Sequence, residues 1–231
     1  MQAPQIRLER VPTHIAALSA PKGPQLAAFD ADGVLWQGDV FEELTQWLMR
    51  RNEIEDRGWA DYMEAAASDP IAGAYRILEF YRGMSLEALK MHVSRFWAAV
   101  PRHWNADVLA SMQWLREQGH TVYVVSATPF AILQPLKRLL PVDCVLGMEL
   151  EVDPDGRFTG RHTGTATVGE GKARRIEERW KHPVRVALGN SMLDAAMLSL
   201  AQELAWAYAP DPDLRAEAVQ RGWLVTEPDD R

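Results

Sequence analysis

At 231 residues, 47% of them hydrophobic, the chain can bury a core large enough to need no disulfide staple, and its single cysteine, Cys144, could not form an internal one. A formal charge of −7, with Lys and Arg dispersed among the acids, argues against a nucleic-acid partner. No run approaches the roughly 18 apolar residues that cross a bilayer, and "MQAPQIRLERVPTHIAALSAPKGPQ" has charges and prolines where a signal peptide needs an apolar core, so a soluble cytoplasmic protein without a membrane partner is expected.

Residues 1–24 read as an irregular extension with room for one short helix, and "QLAAFD" as a short buried strand ending at Asp30. Helical periodicity follows in "DVFEELTQWLMRRN", where Val40, Leu44, Trp47 and Leu48 fall on one face, and continues through "WADYMEAAAS", "PIAGAYRILEFYRG" and "SLEALKMHVSRFWAAV". Ser85 suits a helix start and Pro70 a first helical turn. From residue 105 the pattern changes. "ADVLASMQWLREQGH" predicts a helix closed by Gly119, and "TVYVVSA" a β-branched strand. "PFAILQPLKRLL" is a helix start interrupted by Pro135, and "VDCVLGMELEVDPDGRFTG" a strand leading into a hairpin that turns at "DPDG". Cys144, inside that apolar run, reads as buried filler rather than a nucleophile. "GKARRIEERW", "VRVALGN" and "SMLDAAMLSLA" then predict helix, strand and helix, and "ELAWAYA", "DLRAEAVQRG" and "WLVTE" a closing strand–helix–strand. Such alternation predicts an α/β fold, a Rossmann-like parallel sheet with helices on both faces. The all-helical stretch does not fit it, which divides the chain into a core of residues 25–37 and 105–231 and a small helical cap of residues 38–104 over the carboxyl edge of the sheet.

Several strand ends carry chemistry-bearing side chains. Asp30 and Asp32 are alternate residues at the end of an extended run, so they can present two carboxylates together, which favours a shared proton or a bound cation. Asp-Ala-Asp-Gly is equally a turn sequence. Ser126 and Thr128 end the second strand, where hydroxyls either bind an anion or cap a helix. Lys172 in "GEGKARRI" opens a helix. Ala166 and Ala173 stand where a P-loop needs glycine and a hydroxyl, so that motif is rejected. Asn190 and Asp194 in "GNSMLDAAML" offer oxygen ligands to a hard cation, or a helix cap and a first-turn acid. Leu193 rules out a nucleophile elbow there. The six histidines have no paired ligand spacing, so zinc is not expected.

In this order, "FDADGVLW", Ser126 in "VVSATP", Lys172 in "GEGK" and "GNSMLD" resemble the four motifs of the haloacid dehalogenase-like hydrolase superfamily. The helical insertion directly after the first motif is similar to the phosphoserine-phosphatase-like branch. The resemblance implies a Mg²⁺-dependent phosphatase acting on a small phosphorylated metabolite, a phosphomonoester, through an aspartyl-phosphate. Asp30 would be the nucleophile and Asp32 the acid/base. Ser126, Ala127 and Lys172 would hold the phosphoryl oxygens, and Asp30, Asp32, Asn190 and Asp194 the metal. Asp32 favours phosphate over halide chemistry, since an alkoxide needs a proton to leave and a halide does not. Two positions depart from the family pattern. Val34 stands where threonine is common, and the neutral amide of Asn190 replaces an aspartate, which should weaken metal binding. A phosphotransferase, or a non-catalytic phospho-ligand binder, is the alternative. For the substrate, Asp39 lies nine residues after the nucleophile, where phosphoserine phosphatases carry a glutamate. With Trp36 it could suit a cationic amine, although it could also cap "VFEELTQWL". Arg82, Tyr81 and Trp97 are further candidates. Oxygens of Asp30, Asp194 and Asn190 are expected around one cation, with Lys172 nearby.

Overall fold

The computed structural model describes residues 3–228, so the outermost residues of the expected extension and core, 1–2 and 229–231, lie outside the described residues. The sheet is built around β1 (Leu26–Phe29), whose four residues are all buried. β1 is flanked in parallel by β2 (Thr121–Pro129) and β5 (Val184–Gly189). β3 (Cys144–Val152), β4 (Phe158–Thr163), β6 (Ala201–Tyr208) and β7 (Leu224–Thr226) complete the order β4-β3-β2-β1-β5-β6-β7. Every pairing is parallel except that of β4 on β3. A central parallel strand has no solvated face, which is why "LAAF" is an unbroken apolar run. Its period of two divides the interior. Ala27 and Phe29 join Val122, Val124, Val186 and Leu188 on one face, while Leu26 and Ala28 join Tyr123, Val125 and Ala187 on the other.

Helices cover both faces. In chain order they are α1 (Thr13–Ala16), α2 (Val40–Met49), α3 (Trp59–Ser68), α4 (Pro70–Arg76), α5 (Leu86–Ala99) and α6 (Ala106–Glu117). Then come α7 (Phe130–Leu133), α8 (Leu136–Leu139), α9 (Glu170–Arg179), α10 (Ala195–Leu198) and α11 (Pro212–Arg221). None is long and apolar enough to cross a membrane among the described residues. The start signals act as read: Ser85 Oγ accepts from Ala88 N, and Pro70 occupies the first turn behind Asp69, which caps Ala72 N. Gly119, at φ 94°, closes α6. Pro135 separates α7 from α8, and the "DPDG" hairpin turns on the Asp153 carboxylate, which accepts from Asp155 N and Arg157 N. "SMLDAAMLSLA" departs from the single helix expected. It is a 3₁₀ turn over Met192–Asp194 followed by α10, because the Asp194 side chain turns back onto Asn190 N and Ser191 N instead of continuing outward.

Between β1 and α6 every named element is a helix, with a 3₁₀ turn at Ile77–Tyr81 after α4. α2 buries Val40, Phe41, Leu44, Thr45 and Leu48 as one face. Val40, Phe41, Leu44 and Leu48 share a hydrophobic cluster with Phe29 and Val124 of the sheet. The loop before α5 is also tied to the hairpin by its backbone: Gly83 N donates to Phe158 O at 2.7 Å and Phe158 N to Met84 O at 2.9 Å. The helical segment is thereby tied to the β3–β4 hairpin.

Candidate active site

Asp30 directly follows β1, and its backbone N–H still donates to Leu188 O of β5 at 2.8 Å, so the first residue beyond the strand is held in register at the sheet edge. The residue is 5% exposed, and its carboxylate takes the Lys172 ammonium on Oδ1 at 2.7 Å. Oδ2 accepts no hydrogen bond among the described residues. The same ammonium donates to Asp194 Oδ1 at 2.5 Å, and Asp194 Oδ2 accepts from the Asn190 and Ser191 amides at 2.9 and 3.1 Å. The cation between Asp30 and Asp194 is therefore Lys172 itself, brought there from the first turn of α9. That helix starts close against the loop leading into it: a Cβ on Gly171 would sit 1.8 Å from the Ala166 carbonyl oxygen, so the residue before the lysine has to be glycine.

Asp32 is held by four donors. Oδ1 accepts from Val40 N at 2.7 Å and Trp36 Nε1 at 3.1 Å; Oδ2 accepts from the Thr128 hydroxyl at 2.8 Å and Ser126 Oγ at 3.4 Å. Gly33 turns the chain at φ 73°, and a Cβ there would meet the Asn190 side-chain nitrogen at 2.1 Å, so the glycine admits the fourth motif against the first. Asp30, Asp32, Gly33, Lys172 and Asn190 line a cavity of about 520 Å³ together with Ser126, Ala127, Asp39, Glu42, Phe41 and Tyr62.

Charge in this cavity is unbalanced. Asp30, Asp32, Asp39 and Glu42 line it, against Lys172 as the single lysine or arginine among the lining residues. Burial, then the Asp194 charge, push Asp30 up to about 7, against an opposing pull from Lys172. Burial also raises Asp32, more than its hydrogen bonds from Val40, Thr128 and Trp36 lower it. Burial alone would lower Lys172, but Asp194 and Asp30 outweigh it and hold the ammonium above its ordinary range. An acid excess at a concave site with an all-oxygen donor set suits a hard divalent cation. Among the described residues no three His, Cys, Asp or Glu side chains form a metal-holding group, so such a set has to include the Asn190 amide or a backbone carbonyl. Both Asp194 oxygens are already occupied, which makes it the anchor of Lys172 and of the 190–191 loop.

The sequence-predicted residues Asp30, Asp32, Ser126, Ala127, Lys172, Asn190 and Asp39 all line this one cavity, with Asp194 directly behind Lys172. Asp39 Oδ1 is committed to capping α2, accepting from Phe41 N at 2.8 Å and Glu42 N at 2.9 Å. Burial and the Asp32 charge push that carboxyl well above its usual range. Two expected substrate contacts lie elsewhere. Trp36 is fully buried, turned onto Trp97 and Trp104 with its N–H spent on Asp32, so it supports the acid instead of facing the cavity. Arg82 is exposed and paired with Glu79. Tyr81 and Trp97 are also interior, bonded to Thr45 and to Ile132 O. Glu42 and Tyr62 escaped the sequence reading. They lie on α2 and α3 inside ordinary amphipathic patterns, and only the crossing of those helices brings them together.

The family model described as haloacid dehalogenase-like hydrolase matches residues 27–199. A histidinol-phosphatase of Neisseria meningitidis serogroup C is 26% identical over 217 residues, covering 87% of this chain and 97% of that protein. Phosphoserine phosphatase SerB1 of Mycobacterium tuberculosis is 28% identical over 239 residues, covering 94% of this chain and 77% of its own. Among solved structures, a Bordetella pertussis protein of unknown function superposes with a TM-score of 0.76 at 24% identity, over 88% of this chain and 98% of that one. A substrate-bound phosphoserine phosphatase superposes with 0.64 at 18% identity, over 85% and 91%.

Proposed function

We propose that this chain, which belongs to the haloacid dehalogenase-like hydrolase family, hydrolyses a small organic phosphomonoester through an aspartyl-phosphate formed on Asp30. The observation that carries the reading is a buried carboxylate, Asp30, held on one oxygen by Lys172 in a cavity where a second acid, Asp32, is fixed two residues away. The phosphatase names of the two curated relatives agree with it.

An Asp30 oxygen forms the new bond to phosphorus as the ester P–O bond breaks, and Asp32 delivers its proton to the departing alkoxide. Its raised proton affinity suits it to hold that proton beforehand. Asp32 then takes a proton from the water that attacks the aspartyl-phosphate, which releases phosphate and restores Asp30. Lys172 and the hydroxyl of Ser126, with the backbone at Ala127, hold the phosphoryl oxygens through both displacements. The residues that would hold Mg²⁺ are Asp30, the Asp32 carbonyl and Asn190, with Asp194 behind them. What the ion supplies when bound is positive charge against the phosphoryl oxygens and the clustered acids. Residues 38–104 form the cap in this reading, and residues 25–37 with 105–231 the catalytic core.

The test is hydrolysis of an aryl phosphate with and without Mg²⁺, beside Asp30→Asn. Magnesium-dependent turnover, reduced about 10⁴-fold or more in Asp30→Asn, is the expected result. The second reading is a non-catalytic phospho-ligand binder, favoured by the neutral Asn190. Inertness of the wild type on a broad phosphate panel would favour that reading instead.

A further inference from the structure

Asp32 can serve as an acid only while one of its oxygens carries a proton, and its hydrogen-bond partners decide which one. Oδ1 accepts from the Val40 amide at 2.7 Å and the Trp36 indole N–H at 3.1 Å. Both groups can only donate, so a hydrogen on Oδ1 would face theirs. Neither can turn away. Val40 is the first residue of α2, and Trp36 is fully buried, edge-to-face with Trp97 and Trp104 at ring-centroid distances of 5.8 and 5.6 Å. Oδ2 meets hydroxyls instead, Thr128 Oγ1 at 2.8 Å and Ser126 Oγ at 3.4 Å. A hydroxyl donates or accepts by rotating its hydrogen. Ser126 Oγ is the farther of the two and already accepts from Thr128 N at 3.0 Å. Thr128 Oγ1 has no other hydrogen-bond partner among the described residues. The residue is 3% exposed and lines the cavity near the end of β2.

We infer that Thr128 is a positioning residue for the acid: its hydroxyl holds the Asp32 proton on Oδ2, the oxygen that remains once Trp36 and Val40 have filled Oδ1. The inference rests on the phosphatase reading above and adds to it the atom from which the proton leaves. As the ester P–O bond breaks, its electron pair stays on the alkoxide oxygen, which takes the proton from Oδ2. Oδ2 keeps the electrons of its O–H bond, and Thr128 turns its own hydrogen to that charged oxygen. In the second displacement the attacking water gives a proton back to Oδ2, and Thr128 returns to accepting. The hydroxyl thus serves both states of Asp32, which a fixed N–H donor cannot do.

The experiment compares an n-alkyl phosphate with an aryl phosphate in the wild type, Thr128→Val and Thr128→Ser, all with Mg²⁺. It reads kcat/KM, which reports the displacement in which the ester oxygen leaves; hydrolysis of the aspartyl-phosphate is common to both esters. Valine fills the space of threonine without its hydroxyl. In Thr128→Val, kcat/KM should fall about tenfold or more on the alkyl ester and less than about threefold on the aryl ester, whose leaving group needs less protonation. Thr128→Ser should return the alkyl value to within about threefold of the wild type. Trp36→Phe frees Oδ1 to carry the proton, so Thr128→Val added to it should cost less than Thr128→Val alone. The Thr128 series decides by itself should Trp36→Phe fail to fold. A Thr128→Val protein that matches the wild type, a loss equal on the two esters, or no rescue by serine overturns the inference and leaves Thr128 as part of the cavity wall. A wild type active on the aryl ester alone has no working acid, which overturns it as well. Should the wild type hydrolyse neither ester, the phosphatase reading itself fails.

Discussion

Two buried cations, at opposite edges of one sheet, are treated in opposite ways. Arg185, near the start of β5, is 3% exposed, and its terminal nitrogens meet Ser19 O at 2.6 Å, Ser19 Oγ at 3.0 Å, His120 Nε2 at 3.2 Å and Glu203 at 2.7 Å. Burial lowers His120, and its Nδ1 donates to Leu115 O, leaving Nε2 to accept from the arginine. One cation faces one acid and neutral acceptors, and the result fastens the N-terminal segment to the sheet. Lys172, 2% exposed at the carboxyl edge, faces two acids directly and shares an open cavity with three more. The balanced cluster needs no counter-charge from a ligand. The unbalanced one becomes neutral only by taking up protons or a cation, and that distinction separates a structural site from a reactive one.

The largest expected effect tests the reactive cluster alone. Asp32→Asn should reduce hydrolysis of an alkyl phosphate by about 10²–10⁴-fold. An aryl phosphate, whose leaving group needs less protonation, should lose less in the first displacement. Steady-state and burst kinetics on the two esters measure the difference. Equal losses on both, with Mg²⁺ affinity reduced, would make Asp32 a ligand and not an acid.

The next effect should be opposite in sign at the two clusters. Arg185→Met strips donors from Ser19 and His120 and leaves Glu203, which is 45% exposed, to solvent. We expect about 2 kcal/mol of lost stability by chemical denaturation, with kcat unchanged. Asp30→Asn removes a charge that the fold disfavours, so in cation-free buffer it should gain roughly 1 kcal/mol while losing turnover. If both variants are destabilised alike, the acid excess is fully compensated within the fold and the comparison fails.

The sequence carried much of this. Strand ends and helix starts are local signals, and in a parallel sheet they must converge, which is why Asp30, Ser126, Lys172 and Asn190 could be expected to meet. What it did not carry is direction. Trp36 follows a turn that leads equally to the cavity or to the interior, and only its contacts with Trp97 and Trp104 decide. Glu42 looked like one more acid in a first helical turn, indistinguishable from Glu43 until Arg102 is seen to reach only the second. Arg185 sits as an anomaly inside "VRVALGN", and its partners come from residue 19, residue 120 and residue 203, separations that no local pattern reports.

The smallest effect is the pH dependence of the cation-free protein. Asp30 keeps its proton in the folded chain up to about pH 7, against an ordinary value of 3.8 expected when unfolded. Between those values the folded state binds more protons than the unfolded one, so stability falls as pH rises through that window and is flat on either side. The Lys172 ammonium beside Asp30 opposes the upward shift, so the whole drop should be modest, about 1–2 kcal/mol. Mg²⁺ should reverse it, because a bound cation takes over the role of the proton. The rise in Tm on adding Mg²⁺ is therefore expected to be larger at about pH 8 than at about pH 5.5, where protons compete for the same oxygens. In Asp30→Asn both the pH slope and the pH dependence of the Mg²⁺ effect should shrink, whereas in Arg185→Met they should persist on a lower baseline. A slope that survives Asp30→Asn undiminished would move the disfavoured charge to another carboxylate of the cavity, Asp39 being the next whose proton affinity burial raises.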